Sequence, residues 1–99
     1  MRIIAVGKII RFWSLPGRGD AEMPLRAWLS LVKPATWSRP NDIKMVFRSA
    51  DLLSNGRVVF NIGGNKYRLV AAVHYRGHRI YVRFIGTHKE YDGIDANKI

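Results

Sequence analysis

The sequence contains no cysteine, which excludes a disulfide framework and any metal site built from thiolates. It also contains no apolar run close to the roughly 20 residues that a membrane-spanning helix needs. The short apolar run within residues 1–6 is far shorter than the core of a signal peptide. We therefore expect a cytoplasmic protein that is not attached to a membrane.

Acidic residues are scarce: 17 Lys and Arg against 7 Asp and Glu give a formal charge of +10. None lies between Asp51 and Glu90, and the cations of that interval are Arg57, Lys66, Arg68, Arg76, Arg79, Arg83 and Lys89. Because charges of one sign repel each other, such a surface favours a polyanionic partner, and nucleic acid fits best. No segment joins a basic face to a wide apolar one, as membrane binding requires. The alternative is a solvated surface that only maintains solubility.

The chain has enough apolar residues for one core, since 47% of its 99 residues are hydrophobic. We expect a single domain over residues 1–99. The patterns of the N-terminal half predict a strand over 2–6, a helix over 8–15, a second helix capped by Asp20, and a third within 37–47. Apolar spacing predicts that the second helix buries Leu25, Trp28 and Val32, and that the third buries Ile43, Val46 and Phe47.

The C-terminal half alternates with a period of two, which predicts strands over 57–62, 66–75 and 79–87. Gly63-Gly64 and Arg76-Gly77 supply the turns. In the last strand, Ile80, Val82 and Phe84 are expected on the core face. The sequence thus predicts an α+β fold: helices pack on one face of an antiparallel sheet, and the other face is basic.

Lys66 and Arg68 are two positions apart in a predicted strand, so both side chains are expected on one face, roughly 7 Å apart. Asn61 is expected opposite Lys66 across the hairpin, with Arg83 nearby on the third strand. Such a patch can bind a phosphate backbone. The alternative is that these residues form only the solvent face of an amphipathic strand.

The segment after the last strand, treated as a loop, collects His88, Glu90 and Tyr91, which are groups able to move protons. RNA carries its own nucleophile, the 2′-hydroxyl, so a ribonuclease needs no metal if it moves protons and neutralises the phosphate. His88, Arg68 and Lys66 offer those abilities, and Tyr91 can stack on an unpaired base. His74 and His78 add no recognisable metal-ligand spacing, so we expect no metal and no cofactor.

Several stretches resemble the HigB toxins in the same order along nearly the whole chain. They are 20–22, 24–28, 49–51, Arg57–Ile62, Gly64–Val70, Arg83–His88 and Glu90–Asp92. The resemblance implies a RelE-like fold and an endoribonuclease that cuts messenger RNA on the translating ribosome through a 2′,3′-cyclic phosphate. It also implies a HigA antitoxin, a helix-turn-helix protein that blocks the toxin and alone contacts operator DNA.

By position, Arg68 resembles the phosphate-binding arginine of RelE-like toxins, His88 the histidine of the YafQ-type branch, and Tyr91 their late aromatic residue. With Lys66 these are the expected catalytic residues. The expected RNA-binding residues are Arg57, Asn61, Asn65, Arg79, Arg83 and Lys89. Two alternatives stay open: a ParE-like inhibitor of DNA gyrase on the same fold, and an RNA-binding adaptor that cuts nothing.

Overall fold

The chain forms a five-stranded sheet with helices on both of its faces. The computed structural model describes residues 1–99. In chain order the elements are β1 (Arg2–Ile4), α1 (Val6–Trp13), α2 (Glu22–Val32), α3 (Pro40–Val46), β2 (Asp51–Leu52), β3 (Arg57–Ile62), β4 (Tyr67–His74), β5 (Arg79–Thr87) and α4 (His88–Asp92). The strand order is β1-β5-β4-β3-β2, and only β1 is parallel to its neighbour. This confirms the expected α+β, RelE-like fold.

The main core lies between the sheet and the first three helices. Trp28 of α2 and Phe47, which follows α3, each meet Phe60 of β3 edge to face, with ring centroids 5.4 and 5.0 Å apart. Phe12 of α1 packs in the same way on Tyr67. Such pairs add specific geometry to the burial of large apolar surfaces, which is the main stabilising contribution. The apolar stripes predicted for α2 and β3 are therefore confirmed.

A β-bulge at Arg83 changes which side chains of β5 face this core. The pairing passes from Val70 with Phe84 to Ala71 with Val82, which leaves Arg83 without a partner. One extra residue in a strand moves every later side chain to the other face. The prediction that Phe84 shares the core face with Ile80 and Val82 is therefore wrong, and Ile85 contacts the main core instead.

The opposite face of the sheet is not simply basic, as the sequence had indicated. Val59 and Val70 are buried there beneath Ala96, with Tyr91 and Ile94 packed around them. The chain from α4 to residue 99 thus covers part of this face. Because this segment has little regular structure, its apolar residues gave no periodic signal of an element that covers the sheet.

Three local predictions in the other elements also need correction. Val46 is exposed rather than buried, since α3 is short and presents Ile43 to the core. Asp20 does not cap α2, because a single 3₁₀ turn, Gly19–Ala21, precedes that helix and the Asp20 carboxylate bonds to other side chains. Residues 88–92 form a helix rather than a loop.

No helix of the structure has both the length and the apolar character needed to cross a bilayer.

Candidate active site

Arg68 lies near the beginning of β4, directly between Asn61 of β3 and Gly86 of β5. Its guanidinium carbon is 5.2 Å from the centre of the Tyr91 ring. The Arg68 Nε and the Asn61 Oδ1 are both buried, and neither has a hydrogen-bond partner. Unpaired buried polar atoms destabilise a fold by about 1–3 kcal/mol each. A ligand that accepts a hydrogen bond from Arg68 and donates one to Asn61 removes that cost, which makes this place a candidate binding site.

Helix α4 brings His88 to the same place. Thr87 caps the helix through a 3.1 Å bond from the Glu90 amide, and the Thr87 amide donates to the Glu90 carboxylate at 2.8 Å. The His88 amide donates to the Lys66 carbonyl at 3.1 Å, which joins the beginning of α4 to the chain before β4. His88 and Tyr91 are three residues apart on one helix, and such residues are neighbours on its surface. Tyr91, the residue that contacts Arg68, thus lies on the same short helix as His88.

Asp92 orients the His88 ring. The His88 Nδ1 is 3.2 Å from the Asp92 Oδ2, and both side chains are about half exposed. In the tautomer with its proton on Nδ1, His88 donates to this carboxylate, and its Nε2 is then an acceptor for a ligand. No signal for this contact of Asp92 is present in the sequence as long as residues 88–92 are expected to form a loop. The four-residue spacing of His88 and Asp92 becomes informative only in a helix.

Lys66 is placed differently from the prediction. It lies in the turn before β4, so it does not leave the strand beside Arg68, and the residue opposite Asn61 is Arg68. Its ammonium donates to the Asp20 carboxylate, which also accepts from the Tyr67 hydroxyl. The bond with Asp20 raises the pKa of Lys66, and the bond with Lys66 lowers the pKa of Asp20. Lys66 is therefore a fixed positive charge at neutral pH rather than a proton donor.

Glu90 is held by Arg18, a contact that anchors α4. Arg18 donates two hydrogen bonds to its carboxylate, at 2.9 and 3.2 Å, and this contact holds the pKa of Glu90 below its usual value. The bond joins α4 to the chain between α1 and α2. An ionised carboxylate with a bound arginine has no proton to give at neutral pH.

The predicted RNA-binding residues divide into three groups. Arg83 forms one of them, because it lies at the bulge of β5, level with Val70 and Ala71 of β4 and not beside Asn61 as expected. Asn65 and Lys89 are exposed beside Lys66 and His88, at the same end of the sheet as Arg68. Arg79 begins β5 at the other end, roughly 23 Å of strand from the residue paired with Arg68. Arg57 also lies towards that end, and its Nε donates to the Ile99 carbonyl at 2.7 Å. Towards one end of the sheet thus lie Asn61, Asn65, Arg68, Tyr91, His88 and Lys89, whereas Arg57 and Arg79 lie towards the other end.

These features define a small α+β domain of RelE-like architecture with a cationic site at one end of its sheet. The model of the HigB toxin family, described as the RelE-like toxic component of a toxin-antitoxin system, matches residues 21–94. The chain belongs to the HigB toxin family, as the sequence resemblance indicated.

Three relatives illustrate the similarity. The chain is 41% identical over 62 residues to the mRNA interferase toxin HigB of Escherichia coli strain K12, which covers 61% of this chain and 60% of that protein. The same values hold for the mRNA interferase HigB of Shigella flexneri. The mRNA interferase HigB of Escherichia coli O6:H1 is 28% identical over 74 residues, 73% of this chain and 72% of that protein. The chain thus spans about 60% of the length of the first two relatives.

Proposed function

We propose that this protein is a metal-independent endoribonuclease that cleaves messenger RNA and acts as the toxin of a toxin-antitoxin pair. The observation that carries the proposal is Arg68, with its unpartnered Nε, against Tyr91 of the short helix that also holds the His88–Asp92 pair. We infer that a phosphate bound at Arg68 lies within reach of the His88 imidazole. Membership of the HigB family and relatives that are named mRNA interferases support this substrate class.

The proposed reaction uses the 2′-hydroxyl of RNA as nucleophile. His88 accepts its proton at Nε2, and the 2′-oxygen bonds to phosphorus while the bond from phosphorus to the 5′-oxygen breaks. The leaving oxygen takes a proton from solvent, to which the site is open, and the products are a 2′,3′-cyclic phosphate and a 5′-hydroxyl. Arg68 stabilises the charge that develops on the non-bridging oxygens.

Lys66 and Tyr91 position the RNA in this proposal. Lys66 supplies a second positive charge that Asp20 holds in place, at the turn beside the site. Tyr91 lies over Arg68 and offers its exposed surface to an unpaired base. Asn61 lies next to Arg68, and its Oδ1 has no hydrogen-bond partner, so it can accept a hydrogen bond from a donor group of the nucleotide.

The partners we propose are the translating ribosome, which presents the messenger in the cytoplasm, and a HigA-type antitoxin. The charge of +10 suits approach to ribosomal RNA as well as to the messenger. The helix-turn-helix antitoxin blocks the toxin, and the toxin reaches operator DNA only through it. Cleavage of isolated and of translated messenger, compared side by side, tests the dependence on ribosomes.

The deciding experiment maps cut sites in cells after a brief pulse of expression. We expect growth arrest and new messenger ends that carry cyclic phosphates, both lost in the Arg68→Ala, His88→Ala double variant. Intact messages with arrested growth in both proteins contradict the proposal. Altered plasmid supercoiling in that case indicates a gyrase inhibitor, and bound but uncut RNA indicates an adaptor.

A further inference from the structure

A second cationic groove, separate from the contacts of Arg68, lies between α1 and the exposed edge of β5. Its volume is about 370 Å³, and we call it the α1–β5 groove. It is lined by Lys8, Arg11, Phe12, Leu15, Arg83, Phe84 and Ile85. Its lining contains three cations and no acidic residue. Together these residues offer positive charge around an apolar floor.

The groove follows from two features of the chain. Lys8, Arg11 and Phe12 are three and four residues apart on α1, so they share one side of that helix. On β5, the bulge at Arg83 turns the side chain of this residue out of the regular alternation. β1 pairs only with residues 79–81 of β5, which leaves the later part of that edge without a neighbouring strand.

The three cations of the groove are not paired with carboxylates, and Arg83 has its guanidinium over the Tyr81 ring, 5.8 Å from the ring centre. Neither Lys8, Arg11 nor Arg83 takes part in any ion pair of the structure, whereas Arg18 and Arg26 nearby each bind a glutamate. Like charges close together repel each other, and bound phosphates relieve this repulsion. The charge of the groove therefore selects an anionic ligand with several charges.

The groove also adjoins the candidate active site, through Phe84 and Gly86 of β5. Phe84 lines it, and the tip of the same ring lies against Gly86, at 2.6 Å from the position of a Cβ built there. Gly86 pairs directly with Arg68. From Arg83 to Gly86 the strand advances roughly 10 Å, a distance that a few nucleotides span.

We propose that the α1–β5 groove binds the single-stranded RNA that flanks the scissile phosphate. Lys8, Arg11 and Arg83 bind its phosphates, and Phe84 with Leu15 contacts its bases. An acidic extended peptide also fits a cationic groove at a strand edge. Its position beside the Arg68 site favours RNA, because one strand then occupies both places. This inference rests on the proposed function for the identity of its ligand.

The test uses RNA that cannot be cut, a 2′-O-methyl octanucleotide, beside a trinucleotide of the same chemistry. One variant carries Lys8→Gln, Arg11→Gln and Arg83→Gln. A control of equal charge carries Lys33→Gln, Arg48→Gln and Arg76→Gln, three exposed cations outside the groove and without ion pairs. Fluorescence anisotropy at several salt concentrations gives the affinity and its salt dependence.

We expect the groove variant to bind the octanucleotide about tenfold more weakly, with a salt slope reduced by about two units, since three phosphate contacts are lost. The affinity of the control variant for the octanucleotide and the affinity of the groove variant for the trinucleotide change much less. Equal weakening in both variants overturns the proposal, because net charge then explains it. The proposal is also overturned if the groove variant binds RNA normally but no longer binds an octaglutamate peptide, because the groove then recognises an acidic peptide.

The test remains decisive if the triple variant does not fold or if the protein does not cleave RNA. If thermal unfolding shows that the triple variant does not fold, Arg83→Gln and Arg11→Gln are measured singly, and an unchanged salt slope in both overturns the proposal. Since the probe cannot be cleaved, binding is separate from catalysis. Uncut messenger in cells then defeats the proposed function, while the octanucleotide data still decide the role of the groove.

Discussion

The two ends of the sheet can be compared directly, because both present arginine and histidine on the face opposite the main core. At the α4 end, Arg68 lies beside Tyr91, and Asp92 orients His88. At the other end, Arg79 pairs with His74 across the last two strands. His74 there packs against the Tyr81 ring, with ring centroids 4.9 Å apart.

The ends differ in the surroundings of these groups rather than in their charge. Only the α4 end has a carboxylate bonded to its histidine and a buried arginine nitrogen without a partner. At the other end, Arg57 is already bonded to the Ile99 carbonyl, and Arg79 is exposed. Positive charge attracts RNA to either end, but cleavage requires groups held in a fixed relation to one phosphate.

The largest expected difference between the ends concerns the two arginines. Arg68→Ala removes the group that neutralises the phosphate, and we expect kcat/KM for RNA cleavage to fall by about 10²–10³-fold. Arg79→Ala removes the same charge at the other end and is the matched control. We expect it to change kcat/KM by no more than about threefold at moderate salt, through weaker general attraction. Equal losses in the two variants contradict the difference between the ends.

The two histidines give the next test. His88→Ala removes the proposed base, and we expect a loss of about 10²-fold in kcat, whereas His74→Ala leaves kcat nearly unchanged. Asp92→Asn keeps the ring but weakens its orientation, so a smaller loss of about tenfold in kcat is expected. Single-turnover cleavage with saturating enzyme measures the chemical step. A normal rate in His88→Ala removes this residue from the mechanism.

The sequence predicted the elements well where periodicity was strong. The stripe of α2 and the alternation of β3 and β4 follow from long apolar patterns, and these elements place Arg68 on the correct face. The bulge at Arg83 was not predictable from the sequence. The alternation of apolar residues along β5 continues through it, while the side chains after Arg83 change to the opposite faces of the sheet.

The site was predicted in part for a related reason. Arg68, His88 and Tyr91 were predicted from their chemistry and from the family resemblance, but the contact of Asp92 with His88 depends on the short helix α4. The Thr87-x-x-Glu90 spacing is a capping-box signature and was the available signal for that helix. The bond between Lys66 and Asp20 joins residues far apart in sequence, and no local pattern indicates it.

Gly86 gives a third test, because the absence of a side chain at this position lets α4 approach the sheet closely at the α4 end. A Cβ at this position lies 2.6 Å from the Phe84 Cζ and 3.0 Å from the Glu90 Oε1. We expect Gly86→Ala to lower the free energy of unfolding by about 1–3 kcal/mol and to reduce cleavage by displacing α4. Urea denaturation measures the first effect. Gly93→Ala is the control, since its Cβ meets only the Glu90 carbonyl at 3.5 Å; similar losses in both contradict the explanation.

The smallest expected effect concerns the anchor of α4, the bond between Arg18 and Glu90. Because this contact lowers the pKa of Glu90 in the folded state, the ionised carboxylate stabilises the fold at neutral pH. That contribution disappears as the pH falls through the folded-state pKa. We therefore expect Glu90→Gln to lower the melting temperature at pH 7 by up to about 4 °C, and the difference from the wild type to close below about pH 4.

Melting curves of both proteins between pH 2.5 and 7 measure this closure. Glu22→Gln is the control, because it removes a carboxylate from the exposed pair with Arg26 within α2 and leaves α4 anchored. At pH 7 its melting temperature should lie closer to that of the wild type, since such pairs contribute only about 0.2–0.5 kcal/mol. A difference for Glu90→Gln that persists unchanged in acid means that the carboxylate charge does not anchor α4, and that the distinction between the two ends rests on packing around Gly86 instead.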